Sequence, residues 1–150
     1  MADQAWRDRE APAGGSAGSP LSGRVAIVTG AAGGLGSATV RALRDAGATV
    51  VPVDVHGNDC LIADVATAEG NRRTVDLALE RHGQLDILVL NAGAQAMNPI
   101  ASYAEADWDR LMDLMVKGPF LAVKFAWPHL TRQPGAVSYT HLTLPTICSV

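Results

Sequence analysis

Apolar residues along the chain come in two alternating rhythms. Arg24 to Thr29 (RVAIVT) is a short β-branched run that stops at Gly30, the pattern of a strand buried on both faces. Leu35, Ala38, Ala42, Leu43 and Ala46 then recur at helical spacing, and Gly47 stands where a helix-closing glycine belongs. Thr49 to Asp54 (TVVPVD) predicts a second strand, although Pro52 is unusual inside one. Cys60 to Ala63 predicts a short third strand. Thr67 predicts the N-cap of a helix that runs to about His82 and is closed by Gly83. Asp86 to Leu90 (DILVL) predicts a fourth strand. Asp107 is then expected to cap a long helix with Trp108, Leu111, Met112, Met115, Ala122, Ala126 and Leu130 on one side. Pro119 inside that helix has no N–H for the Met115 carbonyl, so a kink is expected there. Strands that alternate with helices of this length define an α/β fold, a doubly wound parallel sheet with helices on both faces.

The two ends break this rhythm. Residues 1–20 are charged and then rich in Gly, Ala, Ser and Pro, and they read as a disordered leader in which Trp6 is the one large apolar group. Residues 21–136 carry the alternating pattern. Residues 137–150 (VSYTHLTLPTICSV) have no charged residue and no helical period. Their first ten residues resemble the translation of a transposase-type sequencing adapter. They are therefore read as a non-native tail, with the native reading frame broken near Ala136 and the folded region incomplete.

Composition narrows the function. With 12 Lys+Arg against 15 Asp+Glu, the net charge of −3 lacks the dense basic face that nucleic acid or an anionic membrane requires. The 48% apolar content suffices for a core. Two cysteines, Cys60 and Cys148, give no disulfide framework. Without an apolar run of membrane-spanning length or a signal peptide, the location is read as cytoplasmic. His56, His82, His129 and His141 are scattered without metal-ligand spacing, so no metal site is expected.

The chemistry gathers at Thr29-Gly30-Ala31-Ala32-Gly33-Gly34-Leu35-Gly36, between the first strand and the first helix. There Gly30 permits a tight turn, Gly34 lets backbone approach a pyrophosphate, and Gly36 lets helix and strand pack closely. The helix start, with Leu35 in its first turn, offers free N–H groups and the positive end of a dipole to phosphates. The Gly-Lys-Ser/Thr ending of an NTPase phosphate loop is absent. So is the acidic residue that precedes the glycines in the methyltransferase version, since Thr29 stands there.

Thr29-Gly30-x-x-x-Gly34-x-Gly36 resembles the cofactor loop of the classical short-chain dehydrogenase/reductase family. LSGRVAIVTG before it, Asp54 ending the second strand, Asp64-Val65 after the third and Asn91-Ala92-Gly93 after the fourth match the family in order. The resemblance spans about Leu21 to Ala136. It implies a Rossmann-type sheet, of which this chain holds the N-terminal part. It implies an NAD-dependent oxidoreductase that moves hydride between a secondary alcohol and a ketone, with a small-molecule substrate and a homo-oligomeric intact form. Asp54 would accept hydrogen bonds from the adenosine ribose hydroxyls and repel a 2′-phosphate. Gly33 stands where NADP-dependent members often carry a basic residue, so NAD is the expected cofactor. Asp64 would meet the adenine amino group beside the Val65 amide. Asn91, Ala92 and Gly93 would line the cofactor site, and Gln95 is expected to be a solvated loop residue.

The family's catalytic serine and Tyr-x-x-x-Lys pair find no match. Ser138 and Tyr139 are adjacent, and Thr143 rather than lysine follows Tyr139 by four. No catalytic residue is assigned within the chain. Met115 aligns with the asparagine whose main-chain carbonyl holds a relay water in the family. That departure keeps open a second function, a non-catalytic NAD-binding sensor or scaffold.

Overall fold

The computed structural model describes residues 18–131 and 137–139. The expected leader up to residue 17, and the expected tail from residue 140 onward, lie outside the described residues. The elements are β1 (Val25–Thr29), α1 (Gly34–Asp45), β2 (Thr49–Asp54), β3 (Leu61–Ile62), α2 (Ala68–His82) and β4 (Ile87–Val89). A 3-10 turn (Ile100–Ser102), α3 (Glu105–Met112), a π-helical turn (Asp113–Lys117), α4 (Gly118–Leu130) and β5 (Val137–Tyr139) follow. All strand pairs are parallel, in the order β3-β2-β1-β4-β5. The fold is the α/β, Rossmann-type sheet that the alternating pattern predicts.

Alternation along the strands divides the core into two layers. Ala26, Val28 and Val50 face one way and pack with Val40 of α1. Ile27, Val51, Val53 and Leu88 face the other way, against Val75 and Ala78 of α2 and Ala122, Ala126 and Leu130 of α4. Pro52 is tolerated in a central strand because of where its nitrogen points. The Asp54 carbonyl accepts from Ala63 N–H on the β3 side, and alternation turns the Pro52 nitrogen to that same side. The β3 ladder starts only opposite Val53, so the missing N–H falls before any partner. The α2 boundaries follow the prediction. The Thr67 hydroxyl accepts from Gly70 N–H at 3.0 Å, and Gly83 closes the helix at φ 72°.

Several expectations change. On α1 the face toward the sheet is Gly36, Val40 and Leu43, while Leu35, Ala38 and Ala42 are exposed. The close approach of Gly36 to the Gly30 carbonyl sets this face, since a Cβ at Gly36 would strike that oxygen. Ser19 and Pro20, assigned to the leader, belong to a turn against the end of α1. Leu21 N–H reaches the Ala46 carbonyl at 2.9 Å, and a Cβ on Gly47 (φ 93°) would lie 2.8 Å from that of Ser19. Val137–Tyr139, left outside the fold on sequence, pairs with β4 from Ile87 to Val89. The open edge of β4 presents N–H and C=O groups that any short β-prone segment can pair.

The long helix departs most. It starts at Glu105 with Ala104 as its N-cap and no side-chain cap, so Asp107 does not cap it. Asp107 instead sits in the first turn, 3.4 Å from the Arg110 guanidinium. Pro119 does not break the helix either. Gly118 N–H bonds the Asp113 carbonyl, five residues back, which opens a π turn. Pro119 thereby falls in the first turn of α4, where a missing N–H costs least. Leu114 shares the loss expected for Met115: its i+4 donor is spent on Asp113 and its i+5 donor is proline. The extra residue also turns the downstream face by about 100°. Ala122, Ala126 and Leu130 are buried as predicted, while Trp108, Met112 and Met115 are exposed. No helix among the described residues is long and apolar enough to cross a membrane.

Candidate functional site: a dinucleotide cradle at the sheet's switch point

Successive strands leave β1 in opposite directions, β2 and β3 to one side and β4 to the other. The crevice at the C-terminal ends of β1 and β4 is therefore the topological switch point where doubly wound sheets bind ligands. The glycine loop and Asn91-Ala92-Gly93 both emerge there.

Thr29 ties them together. It is 3% exposed, and its hydroxyl accepts from the Asn91 and Ala92 amides at 3.0 Å each. The Asn91 side-chain amide answers with bonds to the Thr29 carbonyl at 3.0 Å and the Gly30 carbonyl at 3.2 Å. Gly30 has φ 66°, and a Cβ there would lie 2.8 Å from Ala92 Cα. Its lack of a side chain serves both the left-handed turn and the approach to Ala92.

The loop ends in an uncapped helix. Gly33 is the N-cap of α1 and makes no side-chain cap bond, and the first turn holds no acidic residue. The amides of Gly34, Leu35 and Gly36 thus start a helix with no side chain to serve them. A Cβ at Gly34 would meet nothing within 4 Å, so open space lies beside this backbone. Leu35 is 66% exposed and contributes its amide rather than core packing. This is the arrangement that holds a phosphate by backbone donors and helix dipole.

Asp54 lies at the end of β2, and its carboxylate is built into the loop. Oδ2 accepts from Ala32 N–H at 3.0 Å and Oδ1 from His56 N–H at 3.2 Å. Each oxygen keeps a second lone pair for a ligand hydroxyl. Asp64 is exposed, and its Oδ1 accepts from Ala66 N–H at 2.9 Å. Val65 is held from two sides. Asn71 Nδ2 donates to its carbonyl at 2.6 Å, and a Cβ on Gly118 would lie 2.6 Å from the same oxygen. Val55, Ile62, Ala63, Asp64, Thr67, Glu69, Gly70 and Arg73 line an open cavity of about 380 Å³ between the edge of the sheet and α2. Val65 and Ala92 share one small pocket with Thr29 and Asn71, Asp64 lines the open cavity, and Gln95 is exposed.

Two contributors were not singled out on sequence. Asn71 is 2% exposed and also donates to the Thr67 carbonyl at 2.8 Å, fixing the turn that carries Asp64-Val65. Its signal was a polar residue amid the buried positions Gly70, Thr74 and Val75 of a helix. Gly118 was placed in the helix without a reason for its lack of a side chain. Cys60 is buried close to the loop, with its Sγ 3.5 Å from where a Cβ on Gly57 would be. Burial pushes its thiol up, and the charges of Asp54 and Asp59 add to that. Among the described residues no group of His, Cys, Asp and Glu is placed to hold a metal.

A parallel sheet with a glycine cradle at its switch point defines a dinucleotide-binding α/β protein, and residues 24–138 match the short chain dehydrogenase family. The chain belongs to that family. It is 29% identical over 129 residues to an uncharacterized oxidoreductase of Listeria monocytogenes, covering 75% of this chain and 52% of that one. Ligand-free aldohexose dehydrogenase of Thermoplasma acidophilum superposes with a TM-score of 0.76 at 30% identity, over 80% of this chain and 49% of that one. A blue fluorescent protein from a metagenomic library, in complex with NADPH, gives 0.66 at 30% identity, over 72% and 51%. The chain spans about half the length of these relatives.

Proposed function

We propose that the chain is the cofactor-binding part of an NAD-dependent oxidoreductase that interconverts a secondary alcohol and a ketone. The observation that carries this is the bond from Ala32 N–H to Asp54, which sets a ribose acceptor against the phosphate loop. The amides of Gly34, Leu35 and Gly36 hold the pyrophosphate. Asp54 holds the adenosine ribose and excludes a 2′-phosphate. Asp64 and the Val65 amide take the adenine edge, and Asn91, Ala92 and Gly93 wall the crevice toward the nicotinamide. When bound, the nicotinamide supplies or accepts the hydride. Binding, orientation and exclusion of the wrong cofactor are this chain's share.

The NADPH of the metagenomic neighbour belongs to that protein; the preference here rests on Asp54 and Gly33. Neither Tyr103 nor Tyr139 is followed by a lysine four residues on, so this chain by itself should turn over no alcohol. Trp108, Met112, Val116, Phe120 and Trp127 form an exposed apolar stripe, which supports a homo-oligomeric intact enzyme. Calorimetric titration of the chain tests the cofactor assignment. NAD should bind and NADP should bind more weakly; equal affinities would refute it.

A further inference from the structure

The cavity beyond Asp64 is larger than a base edge needs. At about 380 Å³ it falls in the range of pockets that hold drug-sized ligands. Asp64 Oδ1 already accepts from Ala66 N–H, which makes Oδ2 the less engaged oxygen for an adenine amino group. One N–H suffices for that oxygen, so the second hydrogen of the amino group is free to be replaced. The cavity does not close at Asp64. It continues past the Thr67 cap to Glu69 and Arg73, four residues apart on one face of α2. Its apolar wall is Val55 and Ile62, 48% and 41% exposed. Arg73 Nη1 donates to the Ile62 carbonyl at 3.3 Å, which draws the guanidinium to the edge of the sheet. Two carboxylates, Asp64 and Glu69, therefore outnumber the one cation along this wall.

We infer that the chain carries a subsite for adenine dinucleotides extended at the adenine N6 position, and that it favours a cationic extension. The inference rests on the adenine assignment proposed above. The probes are NAD, N6-(2-aminoethyl)-NAD and N6-carboxymethyl-NAD, titrated calorimetrically into the full chain and its Glu69→Gln variant. Glu69 is exposed, so its loss leaves the fold intact. The aminoethyl analogue should bind within about threefold of NAD, and the carboxymethyl analogue about threefold to tenfold more weakly than the aminoethyl one, the scale of an exposed ion pair. Glu69→Gln should narrow that gap and leave NAD unchanged. If NAD binds but both analogues bind about 30-fold or more weakly, the N6 side is closed and the subsite is refuted. If both analogues match NAD and ignore Glu69→Gln, the extension points to solvent and the subsite is again refuted. If NAD itself fails to bind, the cofactor reading falls, and this inference with it.

Discussion

Replacing Asp54 by asparagine keeps the shape of the side chain and removes its charge. In the structure both carboxylate oxygens already accept backbone amides, from Ala32 and His56. Asparagine has one oxygen, so one of those amides loses its acceptor, a cost of about 1 kcal/mol in stability. That cost falls on the fold and is common to both cofactors. The cofactor effects have opposite signs. A hydrogen bond to a charged group contributes about 1.5–3 kcal/mol against about 0.5–1.5 for a neutral one. Two ribose hydroxyls passing from carboxylate to amide should therefore cost about 1–3 kcal/mol, weakening NAD about 5- to 150-fold. For NADP the 2′-phosphate, about −1.5 to −2 in charge, no longer faces a carboxylate. Even after solvent screening, relief of about 1.4 kcal/mol tightens NADP about tenfold relative to NAD. The ratio of the two dissociation constants should thus fall about tenfold or more on substitution. Calorimetric titrations of both cofactors into both proteins measure it, and a thermal melt reads the separate stability cost. An unchanged ratio, with NAD bound normally by the variant, would show that Asp54 serves only the loop.

Asp86 is 1% exposed and accepts from Val25 N–H, the Arg24 guanidinium and Gln84 Nε2. Asp86→Ala strands a buried amide and should cost roughly 2–4 kcal/mol in denaturant melts. In a Cys148→Ser background, Cys60 should resist alkylation until the pH passes above 9.0, because burial and the nearby carboxylates raise its thiol. The folded state then binds that proton more tightly than the unfolded one. Its share of stability is present below pH 9.0 and fades as the pH rises through the higher folded value, which a pH series of melts will read. Pro119→Ala restores an N–H at residue 119 and removes the need for the π turn. In a longer chain that carries the proposed activity, it should lower turnover and shift the pH profile, whereas Met115→Asn changes little. Full activity of Pro119→Ala with an unchanged pH profile would reduce this turn to packing.

The strands, and helix α2 with its Thr67 and Gly83 ends, were legible because each rests on local chemistry. A β-branched run, a hydroxyl cap and a left-handed glycine act within a few residues of themselves. The cradle was legible for the same reason, since the glycines mark their own turn, approach and packing. What escaped depends on residues far apart in sequence. The inward face of α1 is chosen by contact between Gly36 and the Gly30 carbonyl, not by the count of apolar residues, so Leu35, Ala38 and Ala42 misled. The hold of Asp54 on the glycine loop, through Ala32 N–H, exists only once β2 lies beside β1. Asn71 and Gly118 acquire a purpose only when α2 and α4 close on the Val65 carbonyl from two sides.

The long helix shows how one backbone adjustment can hide a surface from pattern reading. A single helical period through Trp108, Met112, Met115, Ala122 and Ala126 assumes 3.6 residues per turn throughout. Gly118 donating to Asp113 breaks that assumption at one point, and everything after it is rotated relative to everything before. The buried part, Ala122 to Leu130, is pinned by the sheet and α2. The phase error is therefore absorbed upstream, where Trp108, Met112 and Val116 turn away from the core and continue through Phe120 toward Trp127. Burying a side chain of this size contributes about 1.5–3 kcal/mol, so five left exposed on one helix face represent a considerable unused driving force. Pro119 thus does two things with one missing N–H. It leaves helix carbonyls at Leu114 and Met115 without their usual donors next to the cradle, and it turns an apolar stripe outward to solvent.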